Sequence, residues 1–386
     1  MVPHDAHHSA ANLHRSLTPV TAAPLRTTRR HLSLAPPQGD SDTNRPTSTT
    51  PIPDQPRTVT PVSGLGDTTA SKGTSPATSA LRIASEAAGR RTNIVVVGVD
   101  ASLSSADAVS WAADVCERRH ATLRLVHAYP YSAVPIQRPG PTLADEQRAP
   151  DPQSAMLLDD VAAALRASHP NLTVDTRPLP GSPDDVLRHE SERARLTVIG
   201  ANGTGHISGT NRRPTLGSVA SALSAVNPAP VAIIHPHHIT TGRGPVVVGV
   251  DGSPASEAAV AFAFQEAAVR QAELIAVHAW HSEQAGSAYP DFPTPNEITE
   301  IEDGEHALLS QRLAGWRETY PDVQVHRRVI NGRSTPALLD FGQSAQLVAV
   351  GSRGRGYTSR LLGSTSNALI LQCECPVVVA SPLSCP

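Results

Sequence analysis

Residues 95–129, VVVGVDASLSSADAVSWAADVCERRHATLRLVHAY, return at 246–280 as VVVGVDGSPASEAAVAFAFQEAAVRQAELIAVHAW, displaced by 151 positions without a gap. Val97 matches Val248, Gly98 matches Gly249, Asp100 matches Asp251, Ser102 matches Ser253, Arg119 matches Arg270 and His127 matches His278, all in one register. A period of that size is a whole domain, well above the roughly 20–50 residues of a solenoid unit. The chain is therefore a duplication. Its 386 residues allow each copy, at about 140 residues, a core of its own. The division expected is a tail over 1–90, a first domain over 91–237, a linker over 238–244 and a second domain over 245–386.

The tail is crowded with Pro, Ser and Thr and shows no sustained apolar periodicity, so burial cannot offset its ordering entropy; it reads as disordered. Arg26, Arg29 and Arg30 among Ser and Thr raise a targeting peptide, but the apolar run of a secretory signal is missing. A start site placed too far upstream and a functional tail are equal readings of the segment. No run of about 20 apolar residues occurs, so no helical membrane span is expected. A net charge of −3 and 3% aromatic residues argue against nucleic acid as a partner. Three of the four cysteines, Cys373, Cys375 and Cys385, crowd the end and only Cys116 lies elsewhere, so no disulfide framework spreads along the chain and a reducing cytoplasm fits. Lys72, in the tail, is the one lysine, which removes P-loop and Schiff-base chemistry from the folded part.

Within each repeat strand alternates with helix. NIVVVGVD and GPVVVGVD are continuous β-branched runs, as in strands buried on both faces of a parallel sheet. Ala-rich helices over 104–118 and 256–270 follow, then the strands TLRLVHAY and ELIAVHAW, long loops over 130–152 and 281–297, and helices near 153–168 and 298–318. LTVDTRP and VQVHRRV read as third strands, SPDDVLRHESERA and STPALLDFGQSA as helices, and RLTVIGANG and QLVAVGSRG as fourth strands. GSVASALSAV and GSTSNALILQ open the last helices before the closing strands PVAIIHP and PVVVASP. This alternation predicts two tandem doubly wound, Rossmann-like α/β domains with ligands beyond the carboxyl ends of the strands.

Functional residues should then follow strands one and four. Strand one ends in Asp100 or Asp251; strand four ends in Gly200 to Gly203 or Gly351 to Gly354; Gly217-Ser218 or Gly363-Ser364 opens the next helix. Glycines admit close backbone approach, and helix N-terminal amides stabilise a phosphate without lysine. Each element alone is an ordinary cap or turn. All three in order, twice, read as a nucleotide cradle.

These residues, with VVVGVDGSPAS, VHAW, VGSRGRG followed by LLGSTSNALI, and CPVVVA, make the chain resemble a tandem universal stress protein, one UspA-type domain per repeat, over nearly everything but the tail. The resemblance implies a stress-response protein that binds ATP or a related adenine nucleotide, with or without a bridging magnesium ion, as a regulatory module and not an enzyme. Carried over position by position, it implies Asp251, Ala279, Val350, Gly351, Gly354, Gly363 and Ser364 in the second domain. In the first it implies Asp100, Ala128, Ile199, Gly200, Gly203, Gly217 and Ser218. The family's ATP-binding pattern has nine residues between the last two glycines; here eight separate Gly354 from Gly363 and thirteen separate Gly203 from Gly217. Two other classes compete: a nucleotide-free interaction protein whose glycines are only turns, and an adenine-nucleotide hydrolase.

The second cradle is the better candidate, because its loop is near the family length and carries Arg353, Arg355 and Arg360, whereas the first has Pro214 and four extra residues with Arg212 and Arg213. HPHH at 235–238 and the thiols of CEC at 373–375 read as ordinary sequence more than as metal ligands, since no second pair completes a tetrahedral site. His127 and His278 read as structural hydrogen-bonding residues. The closing strands expose β-branched edges that invite partners, and the resemblance implies that the two domains pair through them about a pseudo-two-fold axis, with a homo-oligomer left open.

Overall fold

The computed structural model describes residues 92–130, 151–203, 216–236, 243–280, 295–354 and 362–382. The tail, Arg212, Arg213, Pro214, Arg355, Arg360, His237, His238 and Cys385 lie outside the described residues. Among those described, the first repeat contributes β1 (Ile94–Gly98), α1 (Leu103–Arg119), β2 (Thr122–Tyr129), α2 (Pro152–Ser168), β3 (Val174–Pro180), α3 (Pro183–Ser191), β4 (Leu196–Gly200), α4 (Ser218–Ala225) and β5 (Val231–Ile234). The second contributes β6 (Val246–Gly249), α5 (Pro254–Arg270), β7 (Leu274–Trp280), α6 (Pro295–Thr319), β8 (Val325–Asn331), α7 (Ser334–Gly342), β9 (Leu347–Gly351), α8 (Ser364–Gln372) and β10 (Val377–Ala380).

The strands form one sheet in the order β3-β2-β1-β4-β5-β10-β9-β6-β7-β8. Every neighbour pair is parallel except β5 and β10, which run antiparallel with Ala232 opposite Val378. Strand order reverses between β1 and β4 in one half and between β6 and β9 in the other, so each half has its own crevice at the carboxyl ends. Because side chains alternate across a sheet, the valine runs feed two cores. Val95, Val97 and Val99 join Val246, Val248 and Val250 under α1, α2, α5 and α6. Val96 and Val247 face the opposite layer, where Leu187, Leu223, Leu338 and Leu369 of α3, α4, α7 and α8 pack. That is why the runs lack polar interruptions: neither face of these strands meets water.

Both long helices after strand one begin in the same way. Ser102 and Ser253 are the N-caps, their hydroxyls accepting from the amides of Ser105 and Ser256 at 3.1 Å, and Pro254 starts the second helix with its preset φ. The third strands start two residues later than the apolar pattern predicts. Leu172 and Val323 are buried, but their amides close turns onto His169 O at 3.0 Å and Tyr320 O at 3.2 Å. Burial marks them as apolar before the strand has begun. The sheet's outer strands carry Pro178 and Pro180 in β3 and exposed Arg327 and Arg328 in β8, features that discourage edge pairing. No helix among the described residues is long and apolar enough to cross a membrane.

Candidate functional site

The turn after strand one is built from short hydrogen bonds within the sequence DxS. Asp100 Oδ1 accepts from the Ser102 amide at 3.0 Å, and Asp251 Oδ1 from the Ser253 amide at 2.8 Å, an Asx turn that leads the chain into the capping serine. The capping hydroxyl then donates across to the strand-four loop, Ser102 Oγ to Asn202 O at 3.3 Å and Ser253 Oγ to Arg353 O at 3.2 Å. The aspartate's second oxygen lies against the loop glycine. A Cβ on Gly203 would sit 2.9 Å from Asp100 Oδ2, and one on Gly354 would sit 2.8 Å from Asp251 Oδ2. Strand one, its helix and the glycine loop thus form a single stapled unit in each half.

The glycines do not all play the part the sequence suggests. A Cβ on Gly200 would fall 2.7 Å from the Ser104 backbone carbon, and one on Gly351 would fall 2.8 Å from Ala255 C and Ser256 N. These two residues border the crevice, yet their bare backbone is required by the close approach of α1 and α5 to the sheet. Gly217 and Gly363 cap α4 and α8 without a side-chain acceptor, and their own amides are already given to Ala201 O at 2.9 Å and Ser352 O at 2.8 Å. The amides that a ligand could use therefore begin one residue later, at Ser218 and Ser364, in the first turn of each helix.

All fourteen residues expected from the sequence border the two crevices. Asp251, Ala279, Val350, Gly351, Gly354, Gly363 and Ser364 line a cleft of about 230 Å³ in the second half. Asp100, Ala128, Ile199, Gly200, Gly203, Gly217 and Ser218 line one of about 140 Å³ in the first. The walls differ in chemistry as well as size. Ser334, Thr365, Ser366 and Arg353 line the second cleft; the matching positions in the first are Pro183, Val219, Ala220 and Asn202. Three hydroxyls and a guanidinium in one cleft are thus two apolar side chains, a proline and an amide in the other. Ser334 Oγ lies 2.9 Å from Thr365 Oγ1, and Ser366 Oγ donates to Gly351 O at 2.6 Å, which fixes the rim of the larger cleft.

Sequence reasoning missed Ser334, Thr365 and Ser366. The first comes from α7, an element whose place beside α8 is set only by packing; the other two sit immediately after the expected Ser364 and were legible as a polar run, STS, against SVA in the first repeat.

His127, His278 and His235 are each held by a backbone carbonyl, and His127 also borders the first cleft. His127 and His278 each place Nδ1 2.6 Å from the strand-one carbonyl, Val99 O and Val250 O, and His278 Nε2 is 2.8 Å from Glu305. His235 of HPHH is held by Ile370 O at 2.6 Å, and burial keeps it below the ordinary histidine range. Among the described residues, the potential metal ligands that come together in threes are Asp114, Glu117 and His169, largely exposed and away from both clefts.

A twice-repeated doubly wound domain, with a glycine-walled crevice at each strand-order switch, defines a class of tandem α/β proteins. The chain matches the universal stress protein family over residues 91–235 and again over 242–381, and it belongs to that family. It is 37% identical over 296 residues to a universal stress protein of Mycolicibacterium smegmatis, spanning 75% of this chain and 97% of that one. It is 38% identical over 307 residues to one from Mycobacterium tuberculosis, spanning 75% and 98%. The crystal structure of a universal stress protein from Archaeoglobus fulgidus shares the fold at a TM-score of 0.53 and 19% identity, covering 75% of this chain and 99% of that chain.

Proposed function

We propose that the chain binds an adenine nucleotide, ATP foremost, in the second-half cleft, and acts as a regulatory binding module in a stress response, not as a catalyst. One observation carries the reading: the N-terminus of α8, capped by Gly363 and bearing Ser364, Thr365 and Ser366, borders the same cleft as the Asp251 carboxylate and Gly354. A helix N-terminus rimmed by hydroxyls favours an anion. A carboxylate at a strand end suits the hydroxyls of a ribose or the amino group of a base. Val350, Ala279 and Leu338 supply apolar surface between them. A magnesium ion, where present, would be held by the nucleotide's own phosphates beside Ser364 and Asp251.

The first cleft, smaller and with apolar side chains at two of the matching positions, is proposed as the weaker site. The antiparallel seam of β5 and β10 makes one unit of the two halves, and the expected role of pairing is to let a ligand in one half bias the other. Gly354→Val drives a branched side chain into the Asp251 carboxylate, whereas Gly203→Val does the same only in the first half. Calorimetric titration of the full chain with ATP should show loss of most binding for Gly354→Val and little for Gly203→Val. Equal losses would remove the asymmetry. Absence of any ATP heat, together with no nucleotide in gently purified protein, would favour a nucleotide-free interaction protein, and phosphate release abolished by Asp251→Ala would favour a hydrolase.

A further inference from the structure

Cys373 and Cys375 stand at the turn between α8 and β10, and their sulfurs are 3.4 Å apart. Both are buried, at 5% and 7% exposure, and Cys373 is the C-cap residue in an extended conformation, φ −77° and ψ 134°. Room for its sulfur comes from Gly342, where a Cβ would lie 2.9 Å from Cys373 Sγ. The first half fills the same turn differently. At the matching positions stand Ser191, Asn227 and Ala229. Ser191 Oγ donates to Asn227 Oδ1 at 2.9 Å, and Asn227 Nδ2 donates to Ala229 O at 2.8 Å, a knot that ties helix end to strand start. In the second half that knot is replaced by a glycine and two facing thiols.

We propose that Cys373 and Cys375 are an oxidisable dithiol, with Cys373 the attacking sulfur, Cys375 the resolving one, and a hydroperoxide the oxidant. The Cys373 thiolate attacks one peroxide oxygen; the S–O bond forms, the O–O bond breaks and the leaving oxygen departs as water after protonation. Cys375, losing its proton, attacks the resulting sulfenic sulfur; the S–S bond forms and the S–O bond breaks, releasing a second water. Two thiols and one hydrogen peroxide thus give one disulfide and two waters. Closing the bridge takes about 1.3 Å of sulfur travel from 3.4 Å to the usual S–S length. It would restore covalently the tie that Asn227 makes by hydrogen bonds in the first half.

The roles follow from the surroundings. The hydrogen bond between the two thiols, with the backbone amides of Cys375 and Glu374 on the Cys373 sulfur, holds Cys373 below the usual thiol range against the opposing effect of burial, and the thiol–thiol bond together with burial pushes Cys375 up. Cys116, fully buried in the other core, is pushed by burial up to about 12 and is an internal reference for an inert thiol.

The test uses the full chain carrying Cys385→Ser, treated with hydrogen peroxide, quenched by alkylation and mapped without reduction. The expected product is a peptide holding residues 373 and 375 that is two hydrogens lighter and unalkylated, formed at least about tenfold faster than any oxidation of Cys116. In Cys375→Ser, a sulfenic acid at residue 373 should be captured by a 1,3-diketone; in Cys373→Ser, Cys375 should remain a thiol. A fully alkylated 373–375 peptide after oxidation of Cys116, a bridge between chains, or diketone capture at Cys375 instead of Cys373 would each overturn the proposal. The unsubstituted pair gives the bridge result by itself, so the conclusion does not depend on the folding of either variant.

Discussion

Removing the carboxylate of Glu266 should destabilise the seam between the two halves more than any other single change of charge. Glu266 lies on α5 with its side chain 2% exposed, and its Oε1 accepts from Nε of Arg119 on α1 at 3.1 Å and from that residue's Nη2. Oε2 accepts from Arg270 Nε at 2.7 Å. Arg119 and Arg270 are matching residues of the two repeats, but the position matching Glu266 is Val115, so one acid serves both arginines. Burial alone would raise its pKa; the two arginines outweigh burial and hold the carboxyl below its ordinary range. Glu266→Gln leaves two guanidinium groups buried without a counter-charge, at a cost of about 3–5 kcal/mol. That is roughly two to three and a half powers of ten in the folding equilibrium. Urea unfolding at neutral pH measures it. Because the folded-state pKa is depressed, the stabilisation is present above the unfolded value of about 4.3 and is lost as pH falls through the folded value, so the gap between native protein and Glu266→Gln should close in acid. The near-symmetry supplies a stricter check. A glutamate at 115 would stand four residues before Arg119 and across from Arg270, so Val115→Glu combined with Glu266→Val should recover about half or more of what Glu266→Val alone loses. A loss under about 1 kcal/mol for Glu266→Gln, or no recovery in the transposed pair, would refute the reasoning.

Val378→Pro should loosen the seam, since Val378 is fully buried between Ala232 of β5 and Ala349 of β9 and proline cannot complete a central ladder; faster proteolysis near residues 240–244 is the expected result, and an unchanged rate would count against it. Gly351→Ala should cost about 1–3 kcal/mol of stability by pressing a methyl group into the α5 backbone, read as a lower urea midpoint. A chain beginning near Ala88 should melt with the full-length protein, because the removed segment lacks a core-forming pattern; a lower melting temperature would mean that it docks.

The strands and helices were legible because each is written locally: valine runs for strands buried on two faces, serine caps before Ala-rich helices, glycines at the ends of β4 and β9. Parity was legible too, as Val96 and Val97 had to serve different cores once helices flanked both sides. What escaped is what two distant segments make together. Leu172 and Val323 carry the apolar mark of a strand but close turns instead, and nothing near Glu266 in the sequence announces Arg119. Ser334 reaches the cleft from α7, whose position beside α8 depends on the whole sheet being assembled.

The duplication itself needs a different weighting from the one the sequence invites. Asp100 and Asp251, Ser102 and Ser253, Gly200 and Gly351, and His127 and His278 recur at matching positions, which looks like evidence for two ligand sites. In the structure each of these pairs has local work that any such domain must do: an Asx turn, a helix cap, a close helix–strand approach, a hydrogen bond to a strand-end carbonyl. Their recurrence therefore reports the fold, and would persist in a half that binds nothing. The information about function sits where the halves disagree: Thr365 against Val219 and Ser366 against Ala220 at the cleft, Cys373 against Asn227 at the turn, Glu266 against Val115 at the seam. Substitutions that carry the second half's residue into the first, such as Val219→Thr with Ala220→Ser, therefore probe ligand chemistry on a scaffold whose turns and caps are already in place.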